Sequence, residues 1–162
     1  MKDALHVALR DVTGDNFAAV INLQLPEDQQ DMLASNAYSI AESKFDPYAR
    51  PRAIYNGTEL VGFLMYWSMD DDEAGADKRA NEYSICRFMV DHRHQGKGIG
   101  RRALQLALEE IRQNQALERI YICYHPSNPI AKDFYASFGF VETGMDEDHE
   151  MIAEIRTVRA GR

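Results

Sequence analysis

The pattern of apolar and polar positions is clearest between residues 83 and 111. Tyr83–Val90 is rich in aromatic and branched apolar residues, which is typical of a buried strand. The chain then becomes polar at Asp91–Gln95 and glycine-rich at Gly96–Gly100. Beyond the glycines, apolar residues recur at three- and four-residue spacing, at Leu104, Ala107, Leu108 and Ile111. This pattern predicts a strand, a glycine turn and an amphipathic helix in direct succession.

Upstream of this stretch the pattern predicts a strand followed by two helices. Residues 5–12 alternate between apolar and polar side chains well enough for a first strand. Apolar residues recur at helical spacing over residues 16–25, and Pro26 then ends that helix. A second amphipathic helix is predicted to begin at Glu27 and to run to about Ala41, because acidic residues are favourable in the first turn of a helix.

The middle of the chain predicts a loop, a hairpin and an exposed connection. Two X-Pro dipeptides indicate a loop over residues 46–51. Asn56-Gly57, a strong hairpin signal, joins two predicted strands at residues 52–55 and 59–69. Residues 70–81 are acidic and aperiodic, which favours an exposed connection.

Downstream of the glycine turn the pattern predicts a strand, a helix and two closing strands. The first strand covers residues 119–124. Asn128 is typical of a helix cap and Pro129 of a first helical turn, and that helix is predicted to run to about Ser137. The closing strands are predicted at residues 140–143 and 150–157.

Length indicates one domain over residues 1–162, and 45% hydrophobic and 27% charged residues are typical of a globular protein. The predicted strands and helices make it an α/β domain. No apolar run reaches the ~20 residues of a membrane span, and no signal peptide is recognised, so a cytoplasmic protein is expected. The formal charge of −8 argues against nucleic acid or an anionic membrane as partner and suits a small cationic ligand. Cys86 and Cys123 are interpreted as buried, reduced thiols, and no residue spacing predicts a metal site.

The glycine turn is the strongest candidate for a binding site. A strand that runs through glycines into a helix presents free backbone N–H groups and the positive end of a helix dipole, which together favour a phosphate. The turn is not a Walker phosphate loop, because no hydroxyl residue follows Lys97. It is not a good dinucleotide fingerprint either, because Arg101 stands where a third glycine is needed. For the glycines alone, a plain turn is the competing interpretation.

Two segments resemble the signature motifs of the GNAT superfamily of N-acetyltransferases. Residues 95–100, Gln-Gly-Lys-Gly-Ile-Gly, match the pattern Q/R-x-x-G-x-G/A. Residues 128–140 look like the segment N-x-x-A-x-x-F-Y-x-x-x-G-F of the same superfamily, and the resemblance covers nearly the whole chain. Residues 35–42 and 54–63 further resemble the bacterial spermine/spermidine N-acetyltransferase branch.

The resemblance implies a fold and a cosubstrate. The fold would be a mixed, mostly antiparallel twisted sheet of about seven strands, flanked by about four helices. Acetyl-CoA would place its pyrophosphate on the backbone N–H groups of the glycine turn and its pantetheine arm along Phe88–Val90. The implied cofactor-binding residues are Phe88, Met89, Val90, Gln95, Gly96, Lys97, Gly98, Ile99, Gly100, Arg101, Asn128 and Tyr135.

The resemblance also implies direct transfer of the acetyl group to an amine in a ternary complex. The thioester carbonyl would meet the backbone N–H of Met89 or Val90. Tyr135 would be the general acid that protonates the departing CoA thiolate; packing in the core is the alternative role for this tyrosine. Glu82 is the best-placed acid for the general base, although Cys86 stands where relatives carry an acid in the strand.

The expected substrate is a polyamine such as spermidine or spermine, held by acidic residues. The candidates are Glu27, Asp28, Asp31, Asp70, Asp71, Asp72 and Glu73, and the alternative role of each is an ordinary solvated charge. Another small amine, or a protein amine, is the nearest alternative substrate. A CoA-binding regulatory or toxin-neutralising module without turnover is the alternative of a different class. The resemblance leaves a homodimer open, since many members of the superfamily pair.

Overall fold

The computed structural model describes residues 4–28, 34–69 and 81–157, except for the side chain of Cys86. The strands of this part of the chain are β1 (Val7–Asp11), β2 (Ala49–Asn56), β3 (Glu59–Ser68), β4 (Glu82–Val90), β5 (Arg119–Tyr124), β6 (Val141–Met145) and β7 (Met151–Arg156). The helices are α1 (Phe17–Ile21), α2 (Asn36–Ser43), α3 (Ile99–Ile111) and α4 (Pro129–Ala136), and His92–His94 forms a short 3-10 turn.

The strands form one seven-stranded sheet in the order β1-β2-β3-β4-β5-β7-β6. β1 pairs antiparallel with β2, and β7 pairs antiparallel with both β5 and β6. β4 and β5 pair in parallel, from Glu82 opposite Arg119 to Ile85 opposite Ile122. The predicted fold class, an α/β fold with a mixed and mostly antiparallel sheet, is therefore confirmed.

The chain forms two compact units, which are described separately. The first contains Met1–Met65 and Arg87–Gln113. In this unit every residue of β3 from Val61 to Met65 is buried, which requires cover on both faces of the sheet because successive side chains point to opposite faces. α3 buries the apolar face that the sequence predicts, at Ile99, Ala103, Leu104, Ala107, Leu108 and Ile111.

The second unit contains Tyr66–Cys86 and Asn114–Arg162. Its core is built on β5, where Ile120, Tyr121 and Ile122 are buried, together with Phe140 and Ala153. The predicted bounds of β5 are confirmed, and α4 begins as predicted after an Asn128 cap and with proline in its first turn. The single domain over residues 1–162 stays a prediction.

The predicted start of the second helix is wrong. Residues 27–28 form a 3-10 turn, residues 34–35 are not helical, and α2 begins only at Asn36. The physical reason is a better cap: the hydroxyl of Ser35 accepts the backbone N–H of Tyr38 at 3.1 Å, which satisfies an end group of the helix. The first helix is also shorter than predicted, because it ends at Ile21.

The predicted loop over residues 46–51 is too long, because β2 already begins at Ala49 and includes Pro51. The register of β2 with β1 begins at Arg52, opposite Asp11. Pro51 therefore lies outside that register, where its missing N–H removes no bond to β1. No helix in the described parts of the chain is long and apolar enough to cross a membrane.

Candidate active site

The glycine turn enters α3 through two residues in the left-handed backbone region. Gly96 has φ 78° and Gly98 has φ 84°, and Gly98 is the N-cap of α3. A side chain at either position would clash with its own backbone, which costs roughly 1–2 kcal/mol. These two glycines are therefore required by the shape of the turn.

The turn leaves a row of backbone donors open. Among the residues that the structure describes, the backbone N–H groups of residues 95–100 donate to no protein acceptor. The neighbouring amides on either side are bonded: that of His94 donates to the carbonyl of Asp91, and that of Arg102 to the carbonyl of Gly98. We call residues 95–100 the glycine corner. At the start of a 13-residue helix, these donors and the helix dipole favour an anion.

The charge around the glycine corner is positive. Lys97 is exposed and lies at the tip of the turn. Arg101 is exposed in the first turn of α3, and the Arg102 guanidinium lies 3.8 Å from the Glu109 carboxylate. Ile99, a predicted cofactor-binding residue, is 1% exposed, so its side chain belongs to the core and only its amide faces the corner.

Asp91 holds the start of the turn, and the sequence analysis missed this role. Its side chain is buried and accepts the amides of Gln24 and Arg93 at 2.9 and 3.0 Å, and the Arg93 Nε at 2.8 Å. Burial pushes the pKa of Asp91 up, but these hydrogen bonds and the Arg93 charge outweigh it and lower the pKa to about 2. The available signal was an acid placed directly after a buried strand.

Near this turn, the last residues of β4 direct one backbone amide away from the neighbouring strand β3. The amide of Asp91 donates to the carbonyl of Val61 in β3, at 2.8 Å. Because successive amides of a strand point to opposite sides, the amide of Val90 points away from β3, and that of Met89 points toward it. The register of β4 with β5 runs from Glu82 to Ile85. Of the two amides predicted to meet a thioester, that of Val90 is the one that points away from β3.

A cavity of about 260 Å³ lies on the same unit, beside Met89. Its described walls are mainly apolar, with Ile21, Leu23 and Leu25 on one side. Asn36, at the start of α2, also lines it and donates to the carbonyl of Val20 at 2.9 Å. The cavity thus joins the loop after α1, the start of α2 and the end of β4.

The second unit carries Tyr135 in a cluster of aromatic rings. Asn128 caps α4 by accepting the amide of Ala131 at 3.1 Å, which fixes the start of the helix that carries Tyr135. The half-buried ring of Tyr135 stacks on Tyr124, with centroids 5.6 Å apart and an interplanar angle of 23°. Phe140 meets the same ring edge-on, at 6.0 Å. The ring is therefore held by packing, as a positioned proton donor requires.

Tyr124 is itself tied to a charged pair that the sequence analysis did not anticipate. Its hydroxyl donates to Glu142 Oε1 at 2.5 Å, and Lys132 lies 3.8 Å from the other carboxylate oxygen. Burial, and then the Glu142 carboxylate, raise the pKa of Tyr124 above its ordinary value. Tyr124 thus keeps its proton and its ring position beside Tyr135.

Glu82, the predicted general base, lies beside an arginine. Glu82 is 19% exposed and its Oε1 lies 3.6 Å from Arg119 Nη1. It is the first residue of β4, whereas Val90 is the last. The role of Glu82 as the general base stays a prediction.

The predicted acidic substrate residues are mostly beyond what the structure describes. Glu27 and Asp28 are exposed, next to the loop that lines the cavity. Asp31 and the cluster from Asp70 to Glu73 lie outside the described residues, so their roles stay predictions. The expectation of no metal also stays a prediction, since Cys123, Asp146 and Glu150 place ligand atoms within 4.8 Å of one another.

Comparisons with known proteins agree on one family. The model of the acetyltransferase (GNAT) family matches residues 15–140. A spermine/spermidine N(1)-acetyltransferase of Bacillus subtilis is 29% identical over 140 residues, which cover 86% of this chain and 91% of the relative. Solved structures with the same fold include an aminoglycoside acetyltransferase with coenzyme A, at 16% identity, TM-score 0.75 and coverage of 93% and 94%. Another is a Vibrio cholerae spermidine N-acetyltransferase with CoA and spermine, at 18% identity, TM-score 0.69 and coverage of 91% and 92%.

Proposed function

Since the chain belongs to the GNAT acetyltransferase family, we propose that it transfers the acetyl group of acetyl-CoA to a primary amine of spermidine or spermine. The activity class follows from the family, and the choice of acceptor is the part that is proposed. Acetyl-CoA supplies the activated acetyl group as a thioester.

The observation that carries the proposal is the open glycine corner. Its backbone N–H groups at residues 95–100 have no protein acceptor within the described parts of the chain, and a pyrophosphate is a ligand that such donors favour. Among the described residues, no heavy atom outside Gly96 and its two chain neighbours lies within 4 Å of where a Cβ would stand on Gly96, so there is room for a ligand. Lys97 and Arg101 add positive charge at the same point. The residues present therefore fit the cosubstrate.

Two groups of the chain are assigned roles in the transfer. The amide of Val90 donates to the acetyl carbonyl oxygen and stabilises the negative charge that develops there; losing one such donor typically costs 10²–10³ in kcat. The Tyr135 hydroxyl donates a proton to the sulfur of the departing CoA. A phenol has an ordinary pKa near 10, close enough to that of a thiol for this transfer.

Two observations support a polyamine as the acceptor. The relative from Bacillus subtilis is a spermine/spermidine N(1)-acetyltransferase and aligns over 86% of this chain. The formal charge of −8 attracts a polycation and disfavours an anionic acceptor. A polyamine ammonium must lose a proton before it attacks, because its ordinary pKa is close to that of lysine, about 10.4.

The test is a panel of amines incubated with acetyl-CoA, with free thiol release as the readout and product mass as the check. The panel contains spermidine, spermine, butylamine, an aminoglycoside and a short peptide with a free N-terminus. We expect kcat/KM to be at least tenfold higher for spermidine or spermine than for the others. A higher value for another amine would refute the polyamine proposal. CoA binding without thiol release from any amine would instead favour a binding module without turnover.

A further inference from the structure

The glycine at position 62 faces the strand that carries the Val90 amide. Gly62 is buried within β3. A Cβ at this position would lie 2.5 Å from the carbonyl oxygen of Met89, 3.1 Å from Cδ1 of Ile54 and 3.3 Å from Cα of Val90. A Cβ atom essentially never lies within 3.0 Å of a heavy atom outside its own residue and its chain neighbours, so with any residue other than glycine the backbone at position 62 and the Met89 carbonyl must move apart.

The Met89 carbonyl and the Val90 amide belong to one peptide group. A trans peptide is planar, and its C=O and N–H point in opposite directions. The described chain contains no cis peptide bond. Because the Met89 carbonyl points toward Gly62 in β3, the Val90 amide points away from β3. Moving the carbonyl out of the space beside Gly62 therefore also turns the amide.

We propose that Gly62 is a positioning residue for the acetyl transfer: its missing side chain lets the Met89–Val90 peptide lie where the Val90 N–H aims at the acetyl carbonyl oxygen. This inference rests on the proposed function. Gly62 contacts neither substrate and acts only through the orientation of that peptide.

The size of the effect follows from the geometry. A Cβ at position 62 moves the carbonyl by roughly 0.5 Å, from a 2.5 Å contact to one that can exist. Misplacing a catalytic group by about 1 Å can cost 10²-fold, and losing an oxyanion donor 10²–10³-fold. We therefore expect Gly62→Ala to lower kcat by about tenfold to a hundredfold. Affinity for the nucleotide part of acetyl-CoA should not change, because the glycine corner is untouched.

The binding test compares acetyl-CoA with S-ethyl-CoA, a thioether that has similar bulk but no carbonyl oxygen, and it needs no acceptor amine. The wild-type protein should bind acetyl-CoA a few-fold more tightly, as one hydrogen bond allows. In Gly62→Ala the ratio of the two affinities, acetyl-CoA over S-ethyl-CoA, should fall to about one, while the affinity for S-ethyl-CoA stays within twofold of the wild-type value. An unchanged ratio of affinities would overturn the proposal. An equal fall in the affinity for both ligands would also overturn it, because it would indicate a general disruption of the binding site.

Two further variants separate orientation from packing. Ile54→Val removes the Cδ1 atom that a Cβ at position 62 would also approach. The double variant should remain impaired, because the backbone contact with Met89 persists; recovery of kcat would assign the effect to side-chain crowding and overturn the proposal. Ile111→Val, a buried change in α3, serves as the control for a mild loss of stability and should keep both kcat and the ligand ratio.

The wild-type protein provides a measurement that does not depend on a variant folding. The thioester carbonyl of bound, ¹³C-labelled acetyl-CoA should absorb at a lower infrared frequency than the equally labelled carbonyl of a small acetyl thioester in an apolar solvent, because a hydrogen bond weakens the C=O bond. Absence of that shift would overturn the role of Val90 and, with it, that of Gly62. If the shift and the ligand ratio behave as expected but no polyamine is acetylated, only the proposed acceptor fails.

Discussion

The role proposed for Tyr135 depends on its hydroxyl, while its position depends on its ring. The ring stacks on Tyr124 and meets Phe140 edge-on, so removing the hydroxyl leaves this packing intact. We therefore expect Tyr135→Phe to lower kcat by about a hundredfold, within the 10²–10⁴ range of general acid catalysis, with little change in the KM for acetyl-CoA. Thiol release at saturating acetyl-CoA measures this.

Tyr55→Phe is the matched control for that experiment. Tyr55 also carries a bonded hydroxyl, which accepts from Asn16 at 3.3 Å, and it lies in β2. This variant should keep the wild-type kcat. A Tyr135→Phe variant as active as Tyr55→Phe would make Tyr135 a packing residue and would remove the assignment of the general acid.

Asp91 gives a prediction about stability and pH. Its folded pKa is about 2, below the ordinary 3.8, so its carboxylate stabilises the fold above about pH 4, and this contribution is lost as the pH falls toward 2. The shift corresponds to about 2 kcal/mol at neutral pH. Asp91→Asn should lower the free energy of unfolding in urea by about that amount at pH 7, because an amide nitrogen cannot accept the hydrogen bonds that Asp91 accepts.

The pH dependence separates this role from a packing effect. The difference in the free energy of unfolding between wild type and Asp91→Asn should shrink as the pH falls from 4 to 2, since the wild-type carboxylate takes up its proton in this range. Glu147→Gln changes an exposed residue in the turn between β6 and β7, and its free energy of unfolding should match that of the wild type at every pH in this range. A difference that stays constant with pH would show that the charge of Asp91 contributes nothing.

At the scale of elements, the turn into α3 should couple stability to ligand binding. Gly98 has φ 84°, so Gly98→Ala should destabilise the free protein by roughly 1–2 kcal/mol. It should also reduce the rise in Tm that saturating acetyl-CoA produces, because the strained turn displaces the open amides. In the wild type a ligand at 100 times its Kd stabilises by about 2.7 kcal/mol, which is a rise of several degrees.

Gly14→Ala is the control, since Gly14 has an ordinary φ and open space around its Cβ position. It should change neither the Tm of the free protein nor the shift with acetyl-CoA. Thermal unfolding with and without the ligand checks both variants. A Gly98→Ala variant protected as well as the wild type would mean that the ligand does not bind at the glycine corner.

Elements with a strong local signal were predicted well, and those that depend on a choice between signals were not. The 3.6-residue spacing of α3 and the Asn128-Pro129 start of α4 gave the right elements, because the local signal and the packing agree. For α2 the sequence offers two starts, acids at residues 27–31 and Ser35, and the hydroxyl cap is the one used. β2 extends back through Pro51, a residue whose local preference argues against a strand.

At the scale of the whole molecule, the site was predictable only where a motif is continuous in sequence. The glycine corner and Tyr135 each lie in one short segment. The contacts of Asp91 with Gln24 and of Tyr124 with Glu142 join residues that are 67 and 18 positions apart, so no local pattern signals them.

The net charge gives the last prediction, on the choice of acceptor. A chain of formal charge −8 attracts a trivalent cation more strongly than a monovalent one, and salt screens that attraction over about 10 Å at 0.1 M. The KM for spermidine should therefore rise several-fold between 20 and 300 mM NaCl, whereas the KM for butylamine, if it is turned over, should change less than twofold. Steady-state rates at fixed saturating acetyl-CoA measure this, and potassium chloride in place of sodium chloride is the control for a specific ion effect. Equal salt dependence for both amines would mean that the acceptor is not selected by its charge, and the polyamine assignment would lose its electrostatic basis.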